Sequence, residues 1–181
     1  MAAGSEIDSA FRRAQILTLI LERLRNEAVG KPTEKRWTDF GILEVGEKAE
    51  EASKKIEKTF DELLSLLNHV AILDMAASFE RASRARIGTR IGEARSSLKE
   101  GLKKRPLPAY YARLVYDLAA FDGLKSIGGL LENHLAAEFM DKIDAVRDSR
   151  NTFAHGTSLQ AGPKIDREEA REALNLALGL L

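Results

Sequence analysis

The chain has 181 residues, with 28 basic and 28 acidic side chains, no cysteine and four prolines. This length suits one domain, and 44% hydrophobic with 31% charged residues is the composition of a folded globular protein. Without cysteine the chain has no disulfide framework, thiol nucleophile, zinc finger or iron–sulfur site. A formal net charge of zero at first argues against a nucleic-acid partner.

The start of the chain and its apolar stretches predict a cytoplasmic protein. The first residues lack the basic and apolar regions of a signal peptide. The longest uncharged apolar stretch, residues 63–73, is too short to span a bilayer. We therefore expect no membrane partner.

Composition predicts helices throughout. Ala, Leu, Lys, Arg and Glu make up about half of the chain, as in long helices. The five valines and the lack of sustained apolar–polar alternation predict no sheet. The apolar stripe of the first helix is Ile7, Phe11, Ala14, Leu17, Leu21, Leu24 and Ala28. Gly30, as a left-handed cap, and Pro32 predict where this helix ends.

A long segment between Gly46 and Gly88 contains neither glycine nor proline. One helical phase runs through Ala49, Ala52, Ile56, Phe60, Leu63, Leu67 and Val70. This pattern predicts either one long helix or two helices that break near Thr59, where a capping box could form. A further helix is predicted from Ile87, Ile91, Ala94, Leu98 and Leu102.

Three more helices are predicted in the second half of the chain. Their apolar stripes are Tyr111, Leu114, Leu118 and Phe121, then Phe139, Ile143, Val146 and Phe153, and last Leu174, Ala177 and Leu181. Gly156 is expected to end the second of these helices, whereas Asp166 is expected to cap the third, with Ile165 as its hydrophobic staple. The prediction is a single all-α domain over residues 1–181, a bundle of five to seven helices.

The zero net charge conceals an uneven distribution. Residues 81–105 carry a net charge of +7, whereas residues 1–80 carry −4 and residues 106–181 carry −3. A run of positive charge can guide a polyanion onto the protein, although it can equally be a solvated face paired with acidic neighbours. The candidate RNA-binding side chains are Arg86, Arg90, Arg95, Lys99, Lys103, Lys104, Arg105 and, on a later helix, Arg147.

One polar group interrupts an apolar stripe. Continuing the spacing of Phe139, Ile143 and Val146 leads to Arg150, so a guanidinium occupies a position where a core residue is expected and needs a partner. Around the same helix, Asn151 lies about 100° and His155 about 140° from Arg150. His155 lies near the predicted helix end, where the helix dipole favours an imidazolium.

These residues resemble a known signature. Arg-Asn-x-x-x-His near the end of a late helix in an all-α domain is similar to the motif of HEPN-domain ribonucleases, matched here by Arg150, Asn151 and His155. The segment around Glu80 resembles an acidic position on an earlier helix of several HEPN groups. The resemblance implies metal-independent RNA cleavage by the ribose 2′-hydroxyl, which leaves a 2′,3′-cyclic phosphate and a 5′-hydroxyl. No cofactor and no metal are expected.

The residue types suit that chemistry. His155 can exchange protons, Arg150 can stabilise charge that develops on the phosphate, and Asn151 can orient a phosphate or hydroxyl. One copy cannot easily aim Arg150 and His155 at the same phosphate across about 140° of one helix. We therefore expect a C2 homodimer with a composite active site, built around this helix, which the resemblance also implies.

The resemblance further implies a toxin or phage-defence effector that is controlled by a separate antitoxin or regulatory protein. An alternative is a non-catalytic HEPN-like helical dimer that binds nucleotide or RNA or serves as a scaffold. A third is a helical interaction protein with no RNA role. Arg150, Asn151 and His155 can also be interpreted as a structural cluster that caps the helix end and has no catalytic role.

Overall fold

In the computed structural model, residues 4–46, 48–101, 131–132, 134–154 and 165–181 are described, and within them the chain forms helices and no strand. The helices within the described residues are α1 (Gly4–Gly30), α2 (Lys35–Asp39), α3 (Ala49–Gly101), α4 (Ala137–Ala154) and α5 (Arg167–Leu180). The all-α prediction is confirmed. The helix predicted around Tyr111 and Leu114 lies outside the described residues, as does Gly156.

Helix α3 is continuous over 53 residues, about 80 Å at 1.5 Å per residue. Of the two alternatives predicted for this segment, the structure has the single long helix, because the Thr59 hydroxyl donates to the Lys55 carbonyl of its own helix at 2.9 Å and does not cap a new one. The helix predicted at Ile87 and Ile91 is the C-terminal part of α3. Gly88 costs about 1 kcal/mol of helix propensity relative to alanine, and α3 nevertheless continues through it.

Helix α1 ends where the sequence predicts, but by a different device. Gly30 is its last residue, and the described glycines with positive φ are Gly41 and Gly46, so the prediction of a left-handed cap at Gly30 is wrong. The Lys31 amide instead donates to the carbonyls of Glu27 at 3.1 Å and Ala28 at 3.2 Å. This shared bond satisfies two terminal carbonyls without a left-handed residue.

Helices α1 and α3 form an antiparallel pair that carries the rest of the fold. Arg13 on α1 pairs with Asp74 on α3 at 2.6 Å, and Arg25 pairs with Asp61 at 3.2 Å. Later residues on α1 thus meet earlier residues on α3. At one end of the pair, α4 and α5 pack against it and complete a large apolar cluster that includes Phe79.

A second, smaller cluster lies at the other end of the α1–α3 pair. Trp37 of the short helix α2 is buried there, and its indole N–H donates to the Lys31 carbonyl at 2.9 Å. The buried residues of this cluster are Ala28, Trp37, Leu43, Ala52, Ile56 and Phe60. The described part of the chain therefore has two apolar clusters, which the same two helices join.

Both ends of α5 are fixed by side chains. The Asp166 carboxylate accepts from the Glu169 amide at 3.0 Å, so the predicted N-cap is confirmed, and Ile165 is buried beside it. At the other end, the Arg86 guanidinium donates to the Leu178 carbonyl. A cation at a helix C-terminus satisfies an otherwise unpaired carbonyl and complements the helix dipole.

Candidate active site

Helix α4 is seated by its apolar stripe. Ile143 and Val146 are buried in the large cluster, and the Ser149 hydroxyl bonds to the Ala145 carbonyl of its own helix at 2.8 Å. The predicted stripe is confirmed at these positions. In this orientation, Arg150 in the last turn of α4 faces α3, whereas Asn151 is exposed.

Arg150 has the acidic partner that its position requires. Its Nη1 lies 3.1 Å from Oε1 of Glu80 on α3, and its Nη2 donates to Oε2 of the same carboxylate at 3.5 Å. The Glu80 side chain is 13% exposed, whereas the Arg150 side chain is 39% exposed. A mostly buried carboxylate is therefore paired with a partly exposed guanidinium, through one long hydrogen bond at Oε2 and a charge contact at Oε1, which has no hydrogen-bond partner among the described residues.

A buried histidine lies next to the end of α4. The ring of His69 stacks on that of Phe153, with 5.8 Å between the centroids, and its Nδ1 lies 2.9 Å from the Ser65 carbonyl oxygen. Because a carbonyl only accepts, Nδ1 carries the proton in this contact. His69 is 4% exposed, which fixes it as a core residue that supports Phe153.

Arg147 is held by its own helix. Its guanidinium contacts the carboxylates of Asp144 at 2.8 Å and Asp148 at 3.7 Å. These near-neighbour pairs offset its positive charge, so Arg147 adds less attraction for RNA than its sequence position predicts. Asn151 lies one turn further along α4 and is exposed.

The third residue of the motif, His155, lies outside the described residues, as do Lys103, Lys104 and Arg105. Of the other candidate RNA-binding residues, Arg86 bonds to the end of α5 and Arg90 pairs with Glu93 at 3.4 Å on the exposed side of α3. Arg95 and Lys99 lie on α3, but their side chains are outside the described part. Of the three motif residues, the described structure therefore places Arg150 and Asn151, at adjacent positions in the last turn of α4.

Sequence reasoning missed one potential contact for an anion. Arg84 follows Glu80 by one helical turn on α3 and is exposed, so the two share one face of the helix. Arg84 therefore lies on the face of α3 that carries the carboxylate of the Arg150 pair. The signal available in the sequence was the four-residue spacing of Glu80 and Arg84 within the +7 segment.

Comparison with known proteins adds no relative. No family model matches the chain, and neither the curated proteins nor the solved structures contain a significant match. Within the described part of the chain, no three His, Asp or Glu residues are grouped as metal ligands would be. One described helix, α3, is long and apolar enough over Ala49–Ala94 to cross a membrane by length and composition alone, a test that core helices also pass.

Proposed function

We propose that this protein is a metal-independent endoribonuclease of the HEPN type. One observation carries the proposal. Arg150 stands in an apolar stripe at the end of α4, and a mostly buried carboxylate from a distant helix holds it there. A protein that needed only a packed helix would place an apolar residue at this position. A guanidinium oriented in this way, with N–H donors still exposed, suits a phosphate group.

The reaction needs three groups. The ribose 2′-oxygen attacks the phosphorus, the bond from O2′ to phosphorus forms, and the bond from phosphorus to O5′ breaks. A base takes the 2′-hydroxyl proton and an acid gives a proton to the departing O5′, which yields the cyclic phosphate and the 5′-hydroxyl. We assign proton transfer to His155, charge stabilisation to Arg150 and orientation of the substrate to Asn151.

The proposed enzyme is a C2 homodimer. Arg150 contacts Glu80 on α3, and the sequence spacing of Arg150 and His155 predicts that one copy cannot aim both side chains at the same phosphate. A twofold partner can supply the second group to each phosphate. Control by a separate antitoxin or regulatory protein, in a cytoplasmic toxin or defence system, belongs to the same proposal.

The test is cleavage of labelled RNA in EDTA by wild type, Arg150→Ala, Asn151→Ala and His155→Ala. We expect cleavage by wild type and losses of about 100-fold or more for Arg150→Ala and His155→Ala, in keeping with single acid–base or charge-stabilising groups. Mass spectrometry of the products should find cyclic phosphate ends. The control is Arg12→Ala, an exposed arginine of α1, which should retain full activity.

A second function has one observation in its favour. Arg150 and Arg147 both contact carboxylates, so both charges are partly offset, which also suits a non-catalytic helical module that serves as a scaffold or binds RNA or nucleotide through other exposed cations. In that case wild type and all variants fail to cleave, whereas RNA or nucleotide still binds with a salt dependence set by the exposed cations. Cleavage that persists in His155→Ala contradicts the enzymatic proposal directly.

A further inference from the structure

The C-terminal part of α3 carries basic residues and glycines along one face. At 100° per residue, six positions of this part fall within about 80° of one another around the helix. We call this surface the α3 basic face, and its residues are Arg81, Arg84, Gly88, Gly92, Arg95 and Lys99. From the first to the last, the face extends about 27 Å along the helix. It therefore carries four positive charges and no negative charge.

The acidic residues of this part of α3 lie on other sides of the helix. Glu93 and Glu100 are about 140° and 120° from the centre of the face. Arg90 is about 160° from the centre and pairs with Glu93 at 3.4 Å. Arg86 is also about 160° from the centre, and it donates to a carbonyl at the end of α5. The +7 segment is thus divided between two sides of α3, and the basic face has no acidic residue of its own.

The described positions of the face are open to solvent. Arg81, Arg84, Gly88 and Gly92 are all exposed. A Cβ atom added at either glycine would meet nothing within 4 Å. Because the glycines lie between the two arginines at one end and the two basic positions at the other, an extended ligand can approach the helix backbone in the middle of the face.

The charges at the start of the face are weakly compensated. The Arg81 guanidinium lies 3.8 Å from the Glu6 carboxylate, and both side chains are at least 60% exposed. The carboxylate within one helical turn of Arg84 is that of Glu80, which is already paired with Arg150. Since exposed ion pairs contribute little, these cations remain available to an anion from outside.

We propose that the α3 basic face binds the phosphate backbone of the RNA strand beside the bond that is cleaved. The proposal rests on the proposed nuclease, because Arg84 lies one helical turn from Glu80, the partner of Arg150. No aromatic residue occurs between residues 80 and 101, so the face cannot stack bases. Its contacts are with phosphates, and they hold the strand without reading its sequence.

Two other occupants suit this face less well. A helix that lies on a membrane places large apolar side chains beside its cations, and none of the six positions carries one. Glycines four residues apart allow two helices to pack closely, but a second copy of this face would bring four cations against four. An RNA strand repeats its negative charge along its length, which matches an elongated row of cations.

The test is the binding of a fluorescent 2′-deoxy oligonucleotide to the full chain, measured by anisotropy. This probe keeps the phosphates but lacks the 2′-hydroxyl, so its binding is measured without cleavage. Gly88→Glu places a negative charge on the face, whereas Thr89→Glu places the same charge about 100° from its centre, at an exposed position. We expect Gly88→Glu to weaken binding about tenfold and Thr89→Glu to weaken it less than about threefold. Circular dichroism checks that both variants remain helical.

A second variant removes one cation. Arg84→Gln should lower the slope of log Kd against log salt concentration by about 0.7, the value for one phosphate contact with a single strand. The loss should be the same for probes of different sequence. The control is Arg12→Gln, an exposed arginine of α1, which should leave the slope unchanged.

Equal effects of Gly88→Glu and Thr89→Glu would overturn the proposal, as would an unchanged salt slope in Arg84→Gln. Binding to phosphatidylserine vesicles but not to the oligonucleotide would overturn it in favour of a lipid surface. A wild type that binds as expected but does not cleave RNA disproves the nuclease and supports the face as a binding surface. Cleavage by a wild type whose binding is unaltered by both face substitutions supports the nuclease and overturns the face.

Discussion

The pair of Arg150 with Glu80 joins the end of α4 to α3, with the carboxylate mostly buried and the guanidinium partly exposed. The apolar stripe of α4 predicts that this guanidinium lies at a buried edge and needs a partner, because the stripe is a local pattern. The partner, Glu80, is 70 residues away in sequence, so only the packing of α4 on α3 identifies it. Asp166 was predictable as a cap because its acceptor role involves an amide three residues later.

Replacing Glu80 with Gln should destabilise the protein. The change keeps the side-chain volume but leaves the Arg150 guanidinium without its counter-charge in a half-buried position. We expect a loss of about 1–2 kcal/mol in the free energy of unfolding, between the values for exposed and fully buried pairs. Urea titration measures it as a lower midpoint with unchanged slope.

The control for this change is Glu93→Gln, also on α3. The Glu93 carboxylate pairs with Arg90, and both side chains are largely exposed, so its loss should alter stability by less than about 0.5 kcal/mol. Equal effects of the two substitutions would mean that the buried position of Glu80 adds nothing to the pair with Arg150.

The sequence predicted that these helices exist more reliably than it predicted where each one ends. The stripes of α4 and α5 follow from apolar spacing, which depends on neighbours along the chain. The predicted stripe of α1 is wrong at Leu17 and Leu24, which are exposed. The continuity of α3 past Thr59 and Gly88 did not follow, because a threonine hydroxyl that bonds to its own helix and one that caps a new helix have the same sequence signal. Tertiary packing on α1 decides between them.

The attachment of α2 to α1 should depend on pH. The Glu27 carboxylate accepts from Arg36 at 2.6 Å, and this hydrogen bond lowers the pKa of Glu27 below its ordinary value of 4.5. A lowered pKa in the folded state gives stability that is present above pH 4.5 and is lost as pH falls through the folded value. Wild type should thus lose its advantage over Glu27→Gln in acid.

The measurement is urea unfolding of both proteins from pH 7 to pH 3. The difference in their free energies of unfolding should shrink below pH 4.5. Arg36→Gln should also lack this pH-dependent stability, as Glu27→Gln does. A difference that stays constant through the whole range would show that the contact does not affect the titration of Glu27.

Two apolar clusters on one pair of helices make independent unfolding possible. Among the described residues, the large cluster contains 17 buried members and the small one contains six, and the helix pair between them carries exposed apolar side chains such as Leu17 and Leu63. Burial of less apolar area gives less stability, so the small cluster should open first. The sequence pattern predicted helices that share one phase but not the division of their apolar residues into two clusters.

Trp37, the single tryptophan, reports on the small cluster. At a fixed protein concentration, its fluorescence should change at lower urea than the helical circular dichroism does, contrary to two-state behaviour. Ile56→Ala, a cavity in the small cluster, should move the fluorescence midpoint further than the dichroism midpoint. Coincident transitions in wild type would indicate one cooperative unit.

The length of α3 has a consequence for measuring molecular mass. A compact protein of this size has a radius of gyration of about 16 Å, whereas a rod of about 80 Å, the length of α3, exceeds 20 Å by itself. Such a molecule diffuses slowly for its mass, so a monomer leaves a gel-filtration column where a compact dimer would. A mass inferred from the hydrodynamic radius alone would therefore be that of a dimer even for a monomer. Association must be judged from methods that measure molecular mass independently of shape.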